Sequence, residues 1–156
     1  MPAVAWTPFI KSFRPGTAAQ MEGVRVGFFV GCGAHYLFPD AAWALVRILR
    51  QMGAAIVIPK EQVCCGLPAY VSGDTKTAQA LAKRNMEAFG SLELDAVLTV
   101  CASCGSQLKN LQDLFYNDPS LQAAAGALAE KHRDAMAFLT EVLGFDKHLK
   151  DVLFAR

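Results

Sequence analysis

Residues 96–105 read AVLTVCASCG, an apolar run that leads directly into a Cys-x-x-Cys motif. Its first five residues carry no charge and are rich in β-branched side chains, as is typical of a strand buried on both faces of a sheet. The run passes directly into Cys101 and Cys104, and a helical pattern over residues 108–115 follows. The stretch therefore predicts a strand, a tight connection and a helix, with two cysteines at the junction.

Two further apolar runs precede this stretch, VRVGFFV at residues 24–30 and AAIVI at residues 54–58. Between these runs apolar residues recur at helical spacing, and Gly53 fits the position just past the end of that helix. Asp74 is the predicted N-cap of the next helix, which extends to about Phe89. Strands and helices therefore alternate along this part of the chain.

The same alternation continues toward the C-terminus. Asp118-Pro119 opens a further predicted helix, and residues 135–143 continue the helical pattern as far as Gly144. Near-continuous apolar strands that alternate with helices predict an α/β fold with parallel strands and right-handed crossovers. We expect a three-layer Rossmann-like domain, in which a small parallel sheet is flanked by helices.

Composition and charge exclude several classes of protein. The chain has 156 residues, of which 53% are hydrophobic, and its 15 basic residues nearly balance its 14 acidic residues. This balance argues against a basic surface that binds nucleic acid and against a polybasic patch that binds membranes. Apolar runs are too short for a membrane span, and no signal-peptide pattern opens the sequence. We expect a cytoplasmic protein without a membrane span.

Domain organisation follows from the same patterns. Prolines and a glycine interrupt any periodicity in residues 1–23, which we interpret as a linker or tail. Residues 24–144 form the predicted domain, and residues 145–156 are a C-terminal extension that we leave unassigned.

Five cysteines carry the functional information, and all of them lie between Cys32 and Cys104. An odd number of cysteines in a cytoplasmic chain is a poor disulfide framework. Cys32 follows the first predicted strand, the Cys64-Cys65 pair follows the second, and Cys101 and Cys104 follow the third. Because the carboxyl ends of parallel strands share one edge of the sheet, we expect the five thiols to converge there.

Sulfur chemistry favours a metal site. Thiolates are soft ligands that suit zinc, copper(I) or iron–sulfur clusters, and a helix N-terminus beside Cys101 and Cys104 would stabilise the thiolates. A structural zinc ion and a cubane cluster each take four ligands. Five thiols are therefore compatible with three alternatives: a spare ligand, a redox-active thiol or a cluster of unusual shape. A thioredoxin-like dithiol at Cys101 and Cys104 is an alternative, but it leaves the other three cysteines unexplained.

Other polar residues have simpler interpretations. His35 fits a loop or capping role better than a ligand role, and His132 and His148 are predicted at the surface. The mixed charges at residues 130–134 predict a solvated helix face. The sequence shows no Ser-His-Asp arrangement, paired carboxylates, phosphate loop or dinucleotide fingerprint.

The cysteine pattern, with the flanking sequences VGC, IPKEQVCCGLPAY and TVCASCGSQLK, resembles the cysteine-rich CCG domain over about residues 24–144. This module occurs in heterodisulfide reductase and in the iron–sulfur subunits of glycolate oxidase and D-lactate dehydrogenase. The chain most resembles the first of the two such modules in the oxidase subunits. The ferredoxin cysteines and the second CCG motif of those subunits are missing here.

The resemblance implies a [4Fe–4S] cluster held by Cys32, Cys64, Cys65, Cys101 and Cys104. In heterodisulfide reductase this cluster is non-cubane, other CCG modules hold zinc, and exposure to air can remove a cluster. The implied function is electron transfer in an oxidoreductase complex that oxidises glycolate or lactate, rather than catalysis by this chain alone. The implied partners are a flavin-containing dehydrogenase subunit and further iron–sulfur domains, with the complex cytoplasmic or peripheral at the inner face of the membrane. A zinc assembly module and a subunit of a thiol or heterodisulfide reductase are the alternatives.

Overall fold

A computed structural model describes residues 8–14 and 23–148. Regular elements follow one another in the order α1 (Phe9–Ser12), β1 (Arg25–Phe28), α2 (Pro39–Gln51), β2 (Ala55–Val57), α3 (Leu67–Val71), α4 (Thr75–Gly90), β3 (Ala96–Thr99), α5 (Ala102–Lys109), α6 (Pro119–Lys131), β4 (His132–Asp134) and α7 (Ala135–Glu141). A π-helical turn covers Gly33–Leu37, and a 3-10 helix covers Leu111–Phe115.

Four parallel strands form one sheet in the order β2-β1-β3-β4. Val26 of β1 is in register with Ile56 of β2 and with Ala96 of β3. Val97 of β3 is in register with His132 of β4. The strand order reverses direction between β1 and β3, and open parallel sheets generally bind their ligands at such a reversal. The predicted α/β fold with a small parallel sheet is confirmed.

Each face of the sheet is covered by helices. Val26, Phe28 and Leu98 belong to a first core cluster that packs against α1, α2 and α7. Val97 belongs to a second core cluster, formed with residues of α4, α5, α6 and the 3-10 helix. Adjacent residues of β3 therefore point to opposite faces, as the pleat of a strand requires, and the molecule has three layers.

Local signals in the sequence place the helices correctly. Asp74 accepts a hydrogen bond from the Thr77 amide at 3.0 Å, and Asp118 accepts one from the Leu121 amide at 3.1 Å. Gly53 follows α2 with a φ of +75°, which a residue with a Cβ rarely adopts. These predicted caps are confirmed.

The prediction of a solvated helix face over residues 130–134 is confirmed for Glu130 and Lys131, which are exposed in α6, and is wrong for residues 132–134. Residues His132–Asp134 form β4 at the edge of the sheet rather than part of a helix face. His132 is only 3% exposed, whereas Arg133 and Asp134 are exposed. Charged residues are common on edge strands, and Asp134 also caps α7 by accepting hydrogen bonds from the Met136 and Ala137 amides. His148, in contrast, is exposed as predicted.

Part of the predicted linker or tail, residues 1–23 (the lead-in), packs on the domain. Phe9 of α1 is fully buried, and its ring centroid lies 4.8 Å from that of Trp43 and 5.9 Å from that of Phe28. The remainder of residues 1–23, apart from 8–14 and Gly23, lies outside the described residues, as do residues 149–156 of the predicted extension. The domain boundaries at residues 24 and 144 stay predictions. No helix of the described ranges has the length and apolar character that crossing a membrane requires.

Candidate metal centre

Three segments carry the cysteines. Cys32 directly precedes the π-helical turn after β1, and Cys64 and Cys65 lie in the loop between β2 and α3. Cys101 is the N-cap of α5, and Cys104 lies in the first turn of that helix. The segments that follow β1 and β3 therefore both contribute thiols, and these are the two strands between which the strand order reverses.

The structure brings all five thiols together. Cys65 and Cys104 are joined by a side-chain hydrogen bond, and Cys64 is hydrogen-bonded to Cys65 and to Cys32. Cys104 is also hydrogen-bonded to Cys101. All five cysteines are free thiols. We call this continuous set of contacts the thiol cluster.

Burial varies strongly across the thiol cluster. Cys65 and Cys104 are each 4% exposed and belong to the second core cluster, whereas Cys64 and Cys101 are half-buried and Cys32 is exposed. The cluster therefore has a protected side within the protein and an open side at Cys32.

Hydrogen bonding divides the thiols into donors and acceptors. The Cys104 thiol donates to the sulfur of Cys65, and this bond, assisted by the Leu67 amide, lowers the pKa of Cys65 to about 6. The same bond, with burial and the charge on Cys65, raises the pKa of Cys104. Burial raises the pKa of Cys64, although the Gly66 amide opposes this effect. Cys65 is thus the thiolate of the pair at neutral pH, and the thiolate is the form that binds metals.

Two glycines let backbone approach the thiols. A Cβ on Gly31 would lie 2.9 Å from the sulfur of Cys104, and the φ of Gly31 is +67°. Gly66 has a φ of +87°, and a Cβ there would lie 3.3 Å from the Ala78 carbonyl oxygen. Any other residue at either position would be strained, and at Gly31 its Cβ would also press on a thiol.

Two buried amides, which no motif in the sequence marks, fix the loop before Cys64. The Gln62 side chain accepts from the Val30 amide at 2.8 Å and donates to the carbonyls of Phe28 and Pro59 at 3.1 and 2.9 Å. Asn85 of α4 accepts from the Val63 amide at 2.9 Å and donates to the Cys64 carbonyl at 3.0 Å. The signal for Asn85 is an amide on the apolar face of α4, where it is 1% exposed.

The histidines have different positions. His35 accepts a hydrogen bond from the Ile10 amide through Nδ1 at 3.1 Å, which is a structural role. The prediction of a surface position for His132 is wrong, since its side chain is buried and neither of its ring nitrogens has a hydrogen-bond partner. Its ring lies under α5, where a Cβ on Gly105 would be 3.2 Å from His132 Cε1. Burial lowers the pKa of His132.

The thiol cluster fits some metal groups better than others. Across the described residues, no three His, Cys, Asp or Glu side chains are arranged to ligate one metal ion. A structural zinc ion requires four donors at about 2.3 Å from one point, so this arrangement does not support the zinc alternative. An all-sulfur donor set spread over five contacting thiols fits the larger core of an iron–sulfur cluster.

The dithiol alternative would use only Cys101 and Cys104, and it leaves the contacts of Cys32, Cys64 and Cys65 with the same thiol cluster unexplained. The pKa of Cys104 is raised, and its side chain is buried beneath Gly31 and against Cys65. Cys104 is therefore held in the thiol form in the absence of metal.

Comparison with known proteins adds a family. A family model described as a cysteine-rich domain, CCG, matches residues 26–109. The match includes all five cysteines, all of β1 except its first residue, and the strands β2 and β3. No solved structure matches the chain with significance.

Three curated relatives illustrate the similarity. The chain is 38% identical over 128 residues to the probable glycolate oxidase iron-sulfur subunit of Bacillus subtilis, covering 82% of this chain and 28% of the relative. It is 36% identical over 120 residues to lactate utilization protein A of Geobacillus kaustophilus, covering 77% and 49%. It is 41% identical over 93 residues to one subunit of the fumarate reductase (CoM/CoB) of Methanothermobacter marburgensis, covering 60% and 19%. The chain thus spans between about a fifth and a half of the length of these relatives.

Proposed function

The chain belongs to the family of cysteine-rich CCG domains, and from this membership we propose that it holds an iron–sulfur cluster that transfers electrons within an oxidoreductase. The observation that carries the proposal is the continuous contact among Cys32, Cys64, Cys65, Cys101 and Cys104. A relative that shares 38% of its aligned residues is named an iron-sulfur subunit, which supports the same assignment.

We assign the five cysteines as the ligand set of a [4Fe–4S] cluster. When bound, such a cluster accepts and releases one electron at a time at a potential set by its surroundings. Cys65 presents a sulfur whose pKa is already lowered, so little work is needed to deprotonate it. The amides of Gly66 and Leu67 donate to the sulfurs of Cys64 and Cys65 and would stabilise their negative charge.

The difference in burial among the five cysteines supports one side of the thiol cluster as the place where electrons are exchanged. Cys65 and Cys104 are covered by the second core cluster, which excludes water from that side. Cys32 is exposed, so a redox partner would approach at Cys32. Electron exchange with a partner is fastest where the least protein separates the two centres, and the open side at Cys32 meets that condition.

Exposed apolar side chains accompany the cysteines. Among the described residues, nine large hydrophobic side chains are exposed, and six of them lie near a cysteine in the chain: Tyr36, Leu37, Phe38, Tyr70, Val71 and Val100. Exposed apolar side chains on the segments that carry the candidate ligands are available for contact with a partner protein. We propose that a flavin-containing dehydrogenase subunit docks there.

The names of the relatives suggest, by analogy, which reaction the whole oxidoreductase catalyses. Relatives are named for glycolate oxidase, lactate utilization and fumarate reductase, and we propose oxidation of a 2-hydroxy acid, glycolate or lactate, as the electron source. Further iron–sulfur domains of a longer parent chain would carry the electrons onward, in the cytoplasm or at the inner face of the membrane. The chain itself would then carry electrons and leave the chemistry of the 2-hydroxy acid to its partner.

Anaerobic reconstitution with ferrous iron and sulfide tests the cluster. We expect about four iron and four sulfide per chain, with the visible absorption of an iron–sulfur protein. Cys65→Ala and Cys104→Ala should each lower iron retention severalfold, whereas Ser103→Ala, an exposed position between two ligands, should leave it unchanged. A chain that takes up stoichiometric zinc and no sulfide would overturn the proposal.

A further inference from the structure

A large cavity opens beside the thiol cluster on the side of α1. Its volume is about 730 Å³, which is within the range of small-molecule sites. The sulfur-bearing residues Cys32 and Cys64 lie on its wall. We propose that this cavity binds a small organic anion that has a carboxylate head and an apolar body. The inference goes beyond electron transfer and does not require the cluster to be present.

The charge of the cavity selects an anion. Lys11 and Lys60 line the cavity from two segments that are distant in sequence, α1 and the loop after β2. Among the described residues that line it there is no aspartate or glutamate. Two ammonium groups at the wall of a concave site concentrate positive potential inside it, which raises the local concentration of anions.

His35 adds an oriented hydrogen-bond donor. Its Nδ1 accepts from the Ile10 amide at 3.1 Å, so the neutral ring carries its proton on Nε2. Burial and the neighbouring Lys11 lower the pKa of His35, which favours this neutral form. His35 also lines the cavity, and a carboxylate there could accept from Nε2 while its charge is balanced by the lysines.

The remaining wall favours an organic body over a bare inorganic ion. Ile10, Tyr36 and Val63 contribute apolar surface to the same cavity. Ligand sites commonly combine mostly apolar walls with a few polar groups that fix the orientation of the ligand. A carboxylate with an apolar body satisfies both parts of this wall, whereas phosphate or chloride would contact only the charged part.

The helix α1 completes the site from outside the matched family region. Residues 26–109 match the family model, but Ile10 and Lys11 belong to the lead-in. Phe9 anchors that helix by complete burial, and Arg50 of α2 donates to the Arg14 carbonyl at 2.8 Å. The anchored lead-in therefore has a binding role at the edge of the thiol cluster.

Titration calorimetry with benzoate, lactate and inorganic phosphate at low ionic strength tests the site. We expect saturable binding of benzoate that is at least tenfold tighter than binding of phosphate. Lys11→Gln and Lys60→Gln should each weaken benzoate binding severalfold, and the double variant by more than tenfold. Lys76→Gln and Lys83→Gln, exposed on α4, are matched controls that should change it less than twofold.

The measurement is made on both the metal-free and the reconstituted protein. Saturable benzoate binding to either form that depends on Lys11 and Lys60 supports the site, even if no cluster assembles. The proposal is overturned if benzoate does not bind, or if phosphate binds as tightly as benzoate. It is also overturned if the double variant binds benzoate as tightly as the unmodified protein. Iron and sulfide content of the same samples reports on the cluster separately, so the two proposals fail by different readouts.

Discussion

The Cys104 thiol donates a hydrogen bond to the sulfur of Cys65, and both side chains are almost completely buried. This contact gives two chemically identical groups opposite acidities, since it stabilises a thiolate at Cys65 and opposes one at Cys104. In the metal-free thiol cluster the proton of this hydrogen bond therefore stays on the Cys104 sulfur, and the Cys65 sulfur accepts the bond.

Removal of this donor should raise the pKa of Cys65. In Cys104→Ala the largest cause of the lowered pKa is lost, so the burial that opposes it should dominate. Cys104→Ser keeps a hydroxyl donor and should keep most of the effect. Thiolate ultraviolet absorbance, followed through a pH titration of the metal-free protein, measures both variants. The same titration curve for Cys104→Ala and Cys104→Ser would contradict the assigned donor.

Substitution of Gly31 by alanine should destabilise the protein and reduce cluster retention. The left-handed φ costs a non-glycine residue roughly 1–2 kcal/mol, and the new Cβ would press on the Cys104 sulfur. Gly33→Ala is the matched control, because a Cβ there meets nothing within 4 Å. Denaturant unfolding and iron content should both be lower for Gly31→Ala than for Gly33→Ala. Equal values for the two variants would disprove the close approach.

Asn85→Ala should lower the free energy of unfolding by about 2 kcal/mol, because two backbone groups beside Cys64 lose their partner. Asn117→Ala, at an exposed turn, should change it by less than about 0.5 kcal/mol. Urea unfolding of the metal-free protein measures this without a contribution from the cluster. If Asn85→Ala is as stable as Asn117→Ala, the loop before Cys64 does not depend on this amide.

Protonation of His132 should destabilise the fold. Its pKa in the folded protein is lowered by burial, so below its ordinary value of 6.5 the unfolded chain binds a proton that the folded chain does not. This source of instability is absent above that pH and grows as the pH falls. His132→Leu should remove this part of the pH dependence, whereas His148→Leu, at an exposed position, should keep it. Urea unfolding at about pH 5 and about pH 8 makes the comparison.

Three strands and the main helices could be predicted because their signals are local. The uncharged run before Cys101, and the aspartates at 74 and 118, each determine structure within a few residues. The edge strand β4 could not be predicted in this way, because its three residues are a buried histidine and two charged residues. Its strand conformation depends on pairing with β3. Tertiary pairing overrides local preference most easily in so short a segment.

The thiols of the candidate site could be predicted, but their supports could not. Cysteine is rare enough that five of them form a recognisable pattern, whereas Gln62 and Asn85 are ordinary residues whose partners are backbone groups distant in sequence. The burial of Phe9, whose neighbours Phe28 and Trp43 lie far along the chain, likewise depends on the folded packing. Such roles exist only once the chain is folded.

The single side chain of Gln62 joins the end of β1 to the loop that carries Cys64, through bonds to Phe28, Val30 and Pro59. Its consequence is preorganisation. The conformational entropy of the two segments that present Cys32 and Cys64 is lost when the protein folds rather than when metal arrives. We therefore expect affinity for the proposed cluster to be coupled to the stability of the whole domain.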